Sequence, residues 1–143
     1  MTETAEKSER CTGGCQCGAV RYAFDGPPLE VYVCHCTECR KQSASAFGIS
    51  VIVPGSAVRL TSGSLVKWTR PTDSGTSLDC FFCPDCGSRL WHGNPVTEAQ
   101  ISIKGGSLDE PPDISSADHI WTSSKLAGVV IPPTARQFPG EPD

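Results

Sequence analysis

The arrangement of the cysteines constrains this chain more than any other feature of its sequence. The 143 residues include nine cysteines, and seven of them form three clusters: Cys15 with Cys17, Cys34 with Cys36 and Cys39, and Cys83 with Cys86. An odd total leaves one thiol over in any fully disulfide-bonded arrangement. The first ten residues are polar and lack the apolar segment of a secretory signal, so we expect a cytoplasmic protein. In that reducing compartment cysteine clusters bind metal more often than they form disulfides, and we expect zinc.

The two cysteine pairs have spacings that suit a shared metal ion. Residues i and i+2 of an extended strand point the same way, so both sulfurs of Cys15-Gln-Cys17 can reach one ion. The sequence Cys83-Pro-Asp-Cys86 has the spacing of a zinc knuckle. Gly87 follows it and is free to adopt the left-handed conformation that closes such a turn. Together the two pairs supply four sulfurs, which is the ligand number of a closed structural zinc site.

The middle cluster supplies three sulfurs, which predicts an open zinc site. Cys34 and Cys36 can share a strand face, and Cys39 returns through the turn that opens a short helix. A catalytic zinc keeps three protein ligands and leaves one position for a substrate or water. The residues leave alternatives open: two closed structural zincs, a single zinc, or a fourth ligand to this cluster from Cys11, Cys80 or His35.

A cation, Arg40, follows the middle cluster directly. A zinc ion bound by three thiolates carries a net charge of about −1. Arg40 is therefore predicted either to balance this charge or to contact a substrate carboxylate. No residue of the sequence stands out as a general base.

The pattern of the remaining residues predicts an all-β domain with minimal helix. Short β-branched or aromatic runs are separated by turn sequences, which is typical of a sandwich or a partly open barrel. The predicted strands are 19–24, 31–33, 47–53, 58–60, 65–68, 88–92, 100–104 and 128–131. One helix is predicted over 37–43, with Thr37 as its N-cap. We expect a disordered leader over 1–10, one domain over 11–131 and a flexible tail over 132–143.

The charge and hydropathy of the chain argue against two classes of partner. The net charge is −4, and the twelve basic residues form no block or stripe of the kind that binds nucleic acid. No apolar run approaches the ~20 residues that a membrane-spanning helix needs. We therefore expect neither nucleic acid nor a membrane as a partner.

Three cysteine motifs, taken with their flanking residues, resemble those of a known family. They are Gly14-Cys-Gln-Cys-Gly18, Cys34-His-Cys-Thr-Glu-Cys-Arg40 and Phe82-Cys-Pro-Asp-Cys-Gly87. Their order and spacing are similar to those of the glutathione-dependent formaldehyde-activating enzyme family, which also contains centromere protein V. The later stretches 103–109 and 119–125 look similar as well, so the resemblance covers roughly residues 11–131. Residues 43–45 depart from it, because Ser-Ala-Ser stands where members often carry a glycine-containing turn.

The resemblance implies a fold, two zinc ions and an activity. It implies a β-rich, tent-like fold in which Cys15, Cys17, Cys83 and Cys86 hold a structural zinc. It implies a catalytic zinc at Cys34, Cys36 and Cys39, with a position open to a thiol. The implied activity is that of a carbon–sulfur lyase, with S-hydroxymethylglutathione as the namesake product of glutathione, a small thiol, and formaldehyde, a small carbonyl compound. The alternative is a non-catalytic, zinc-stabilised scaffold or protein-binding module, as the centromere member implies.

Overall fold

Strands dominate the computed structural model, which describes residues 10–142. The described residues form ten strands, one short α-helix and three single 3₁₀ turns. The strands are β1 (Arg10–Gly14), β2 (Arg21–Asp25), β3 (Glu30–Cys34), β4 (Gly48–Pro54), β5 (Val58–Ser62), β6 (Val66–Pro71), β7 (Ser77–Phe82), β8 (Arg89–His92), β9 (Gln100–Lys104) and β10 (Asp118–Ile120). The helix α1 spans Thr37–Ser43. The predicted all-β fold class is therefore confirmed.

The strands form two sheets that pack on each other. A three-stranded sheet has the order β1-β2-β5, and a seven-stranded sheet has the order β10-β3-β4-β9-β8-β7-β6. All pairings are antiparallel except that of β10 with β3, which is parallel. The hydrophobic core lies between the two sheets, as in a sandwich.

Strand alternation gives the seven-stranded sheet one apolar face and one polar face. Ile101 and Ile103 of β9 are buried in the core, as their alternation in the sequence predicts. Tyr22 of the small sheet meets Trp91 of the large one edge to face, with ring centroids 5.5 Å apart. Because side chains alternate, Ser102 and Lys104 point to the opposite face. That outer face carries the candidate site.

The structure adds strands that the sequence pattern did not predict, and it removes one. Strands β1, β7 and β10 were not predicted, whereas the predicted strand over 128–131 is absent from the described fold. Val130 is 86% exposed, and Val129 N–H donates to the Leu126 carbonyl in a turn instead. Pro132 and Pro133 follow directly and have no N–H to donate to a sheet. An apolar run without a pairing strand does not become a strand.

The two predicted terminal segments have different outcomes. The predicted leader lies outside the described residues, except that Arg10 begins β1. The predicted tail, as far as residue 142, runs beside β10: Phe138 N–H donates to the His119 carbonyl, and Trp121 Nε1 donates to Glu141. Ala135 is buried. The division of the chain into leader, domain and tail stays a prediction, but residues 135–141 have defined contacts.

Candidate metal centres

The first cysteine cluster brings together the two pairs that the sequence predicts as one site. The sulfurs of Cys15, Cys17, Cys83 and Cys86 all lie within 4.8 Å of one another. The Sγ atoms of Cys15 and Cys17 are 3.6 Å apart, and those of Cys17 and Cys83 are 3.8 Å apart. A disulfide needs ~2.05 Å, whereas tetrahedral zinc with ~2.3 Å bonds to sulfur places its ligands ~3.8 Å apart. The donor set and its spacing therefore fit a closed tetrahedral metal.

Two glycines shape the turns that present these sulfurs. Gly18 and Gly87 follow the two pairs and adopt φ values of 85° and 80°. Gly18 N–H donates to the Cys15 carbonyl, and Gly87 N–H donates to the Cys83 carbonyl at 2.9 Å. The left-handed conformation predicted for Gly87 is therefore present, and Gly18 repeats it. Residues 15–17 form a turn, not the extended strand that their spacing predicts.

The second cluster lies where β3 ends and α1 begins. The sulfurs of Cys34, Cys36 and Cys39 also lie within 4.8 Å of one another. Cys36 is the N-cap of α1, and its Sγ accepts a hydrogen bond from Cys39 N–H at 3.3 Å. Thr37, the predicted N-cap, is the first helical residue instead. Helix capping and sulfur placement thus depend on the same residue.

Within residues 10–142, the three alternative ligands do not join this second cluster. All nine cysteines are free. Cys11 lies on β1 in the small sheet, and Cys80 is buried on β7 with its thiol directed to the Leu78 carbonyl. The His35 ring is buried, and its Nε2 lies 2.9 Å from Nδ1 of His119. The described residues therefore supply three protein ligands to this cluster.

The three-cysteine cluster opens on a cavity of about 330 Å³. Its floor is the outer face of the seven-stranded sheet, because Ser50 pairs with Lys104 across β4 and β9, and Ser102 pairs with His92 across β8 and β9. A volume near 300 Å³ is at the lower end of small-molecule sites. A larger cleft of about 840 Å³ lies beside the four-cysteine cluster, and Gln42 and Lys104 line both spaces.

Hydrogen bonding within the three-cysteine cluster favours one thiolate. The pKa of Cys39 is lowered to about 6, chiefly by a hydrogen bond from the Cys34 thiol. Burial opposes this shift, and a hydrogen bond from the Cys36 thiol adds to it. The nearby charge of Lys104 and a hydrogen bond from Gln42 act in the same direction. The pKa of Cys34 is raised, because its proton is shared with Cys39 and because it is buried. Cys39 is thus the sulfur that is ready to bind a cation at neutral pH.

The buried groups of the cavity floor are cationic or neutral. Burial lowers the pKa of His92 to about 2, aided by the charges of Lys104, Arg89 and Arg70. His92 is therefore neutral, and its Nε2 lies 3.1 Å from Arg89 Nη1, which can only donate. Burial also lowers the pKa of Lys104, while the sulfurs of Cys39 and Cys34 oppose this shift.

The cations of the cavity differ from the one that the sequence predicts. Arg40 does not line the cavity; it lies with Thr37, Lys41 and Leu126 around a separate depression. The cations that do line it are Lys104 and Arg70. The sequence could have indicated Lys104, because it continues the polar face of β9 opposite Ile101 and Ile103. It could not have indicated Arg70, because β6 lies at the far edge of the sheet and only the tertiary structure brings its side chain to the cavity.

Comparison with known proteins identifies the family of this chain. The model of the glutathione-dependent formaldehyde-activating enzyme family matches residues 10–124. The chain belongs to this family. It is also similar in structure to a Rhodobacter sphaeroides protein solved by structural genomics, with a TM-score of 0.57 and 22% sequence identity. That likeness covers 76% of this chain and 98% of the other, and at this identity it concerns the fold alone.

Membership agrees with the two cysteine clusters as candidate metal sites. The family name implies glutathione and formaldehyde as reactants. In residues 10–142, no helix is long and apolar enough to cross a membrane.

Proposed function

We propose that the protein is a zinc-dependent carbon–sulfur lyase that forms or cleaves a thiol adduct of a small carbonyl compound. The observation that carries this proposal is the cluster of Cys34, Cys36 and Cys39, which supplies three sulfurs at the wall of a cavity. Family membership supports glutathione as the thiol and formaldehyde as the carbonyl compound. A cytoplasmic location fits this function, because a reducing compartment keeps the nine cysteines free.

The two clusters are assigned different roles in this proposal. Cys15, Cys17, Cys83 and Cys86 hold a structural zinc, because four sulfurs close a tetrahedral site. Cys34, Cys36 and Cys39 hold a catalytic zinc. When bound there, zinc supplies Lewis-acid chemistry that lowers the pKa of a substrate thiol at its open position.

The chain's own residues bind and orient the reactants. The cavity of about 330 Å³ has the three sulfurs at its wall, where a thiol and a small carbonyl compound would meet. A carbon–sulfur bond forms as the carbonyl π bond breaks, and the thiol proton ends on the new hydroxyl oxygen. Nothing is oxidised or reduced, so cleavage is the same step in reverse. Gln42, which lines the same cavity as Cys39, helps to lower the pKa of that thiol and so favours its thiolate form.

The open position can be tested by replacing zinc with cobalt, because each added thiolate increases sulfur-to-cobalt absorption. We expect glutathione to raise this absorption saturably in the wild type. S-Methylglutathione, which has no thiol, is the matched ligand control and should leave it unchanged. Cys36→Ser should lose the response. Absence of any thiol response in the cobalt-loaded wild type would contradict the enzyme proposal and favour the zinc-stabilised scaffold.

A further inference from the structure

The strand registers place Lys104 beside the sulfurs of the three-cysteine cluster. Gly48 of β4 pairs with Cys34 of β3. Ser50, two residues further along β4, pairs with Lys104 of β9, and both lie on the outer face of the sheet. A Cβ atom at Gly48 would lie 3.7 Å from the sulfur of Cys39, so this sulfur lies above Gly48. Lys104 is the diagonal neighbour of Gly48, at a spacing that a long side chain can span.

The other two cations of this region are placed less favourably. The registers of β6 to β9 set Arg70 level with Gln100, at the opposite end of β9 from Lys104. Arg70 also has an acidic partner, Glu38, with 3.8 Å between the nitrogen and the oxygen. Arg40 lies outside the cavity, around a separate depression. Lys104 is therefore the cavity cation next to the sulfurs.

Lys104 has no acidic side chain to balance its charge. Within residues 10–142, no carboxylate lies within ion-pair distance of its ammonium group. Burial disfavours the charged form and lowers the pKa of Lys104, whereas the sulfurs of Cys39 and Cys34 act to raise it. An ammonium group removed from water needs an anionic partner. At this position the partner is the sulfur cluster.

A metal ion at the three-cysteine cluster would benefit from this cation. A divalent ion bound by three thiolates has a net charge of about −1, and a substrate thiolate at the open position makes it about −2. Accumulated negative charge opposes binding of the last anion, and a nearby positive charge favours it. A neutral ligand at the same position adds no charge. A cation beside the centre therefore discriminates between anionic and neutral ligands of the metal.

We propose that Lys104 is the charge-balancing residue of the three-cysteine metal centre and favours a thiolate over a neutral ligand at its open position. This inference rests on the proposed function, because it concerns the open position at Cys34, Cys36 and Cys39. It gives Lys104 the charge-balancing role that the sequence suggests for Arg40. Lys104 acts through the charge of the metal centre, so its positive charge is what the role requires.

Two small ligands that differ in charge when bound test this role. 2-Mercaptoethanol binds a metal as a thiolate and has no carboxylate, whereas imidazole binds as a neutral molecule. Their dissociation constants for the cobalt-loaded protein are measured at one pH from changes in visible absorption, over the constant contribution of the closed four-cysteine site. The ratio of the two constants is compared between variants, so that general damage to the open position, which weakens both ligands, cancels.

The variants separate the charge of Lys104 from its other properties. Lys104→Gln should lower the preference for the thiolate by roughly tenfold or more, because a nearby opposite charge stabilises an anionic state by at least that factor. Lys104→Arg should retain the preference, because it keeps the charge. Arg70→Gln and Arg40→Gln are the matched controls, and each should leave the preference nearly unchanged. Lys104→Met, also uncharged and unbranched, keeps the test valid if Lys104→Gln does not fold.

The outcomes distinguish failure of this inference from failure of the proposed function. If both ligands bind the wild type but the ratio is the same in Lys104→Gln, the inference is wrong and the proposed function stands. A loss of preference in Lys104→Arg, or a larger loss in Arg40→Gln than in Lys104→Gln, would also overturn the inference. If neither ligand changes the cobalt spectrum of the wild type, the position is not open, and the inference and the proposed function both fail.

Discussion

Serine substitutions at Cys83 and Cys36 should have opposite consequences for folding. Cys83 is fully buried and packs in the core between the two sheets. It belongs to the four-sulfur cluster, which joins the turn after β1 to the turn between β7 and β8. Cys36 is partly exposed, lies at the start of α1 and belongs to the three-sulfur cluster.

The size of each stability loss depends on whether the residue is a ligand of the structural metal or a helix cap. Structural zinc contributes ~10–16 kcal/mol of apparent binding free energy, which is comparable with the ~5–15 kcal/mol total stability of a domain. Cys83→Ser weakens that site and places an additional hydroxyl in the core, so the variant should be largely unfolded. Cys36→Ser should stay folded, because serine is itself a good N-cap and can accept the hydrogen bond from Cys39 N–H. Cys36→Ala removes the cap as well, at a further cost of ~1 kcal/mol.

Urea unfolding followed by far-ultraviolet circular dichroism measures these differences, with zinc counted by elemental analysis on the same samples. We expect Cys83→Ser to lack a cooperative transition. Cys36→Ser should unfold cooperatively with one zinc fewer, and Cys36→Ala should unfold at a lower urea concentration than Cys36→Ser. If Cys36→Ser were the less folded of the two serine variants, the assignment of structural and open roles would be wrong.

Three further predictions concern metal content, pH and the end of the helix. The purified protein should contain close to two zinc ions per chain, and a mild chelator should remove the three-cysteine zinc first; elemental analysis giving one ion or fewer under metal-retaining conditions would refute two sites. The pKa of His92 in the folded protein lies well below its unfolded value of ~6.5, so below pH 6.5 unfolding takes up a proton and stability falls as the pH decreases. Between pH 6.5 and 5 the expected loss is up to about 2 kcal/mol. The free energy of unfolding of His92→Gln, measured by urea titration, should therefore depend less steeply on pH than that of the wild type. Ala44 ends α1 with φ 51°, so Ala44→Gly should raise the free energy of unfolding by ~1 kcal/mol, whereas Ser45→Gly, at a position without positive φ, should not stabilise the protein.

Local sequence patterns predicted the parts of the structure that local interactions determine. The helix over 37–43 and the strand over 100–104 have the predicted bounds, because a capped turn and a strict alternation are each encoded within a few residues. The two groups of cysteines also come together as predicted, because their spacings fit metal binding before any tertiary contact is known. The left-handed conformation of Gly87 was likewise predictable from the local sequence, because the residue closes the turn of Cys83 and Cys86.

Features that depend on distant segments were not predictable in this way. Strand β10 has three residues and exists because Asp118–Ile120 pairs in parallel with β3, which no local pattern reveals. Residues 128–131 have a better strand pattern but no partner. The cavity has the same origin: Arg70, His92 and Lys104 line one space only because β6 to β9 lie side by side in the sheet. Arg40 was favoured because it is adjacent to the cysteines in sequence, but the helix directs it elsewhere.

The spacing of the ligands along the chain explains why one cluster can be structural and the other open. Cys17 and Cys83 are 66 residues apart, so a metal shared by their cluster closes a long loop and opposes the unfolding of everything between them. Cys34, Cys36 and Cys39 lie within six residues, and a metal there closes only the turn from β3 into α1. Gain or exchange of a ligand at this local site changes no long-range connection. A position that must admit and release a substrate thiol is therefore compatible with a stable fold here, whereas at the four-cysteine cluster the same exchange would weaken the link between the two sheets.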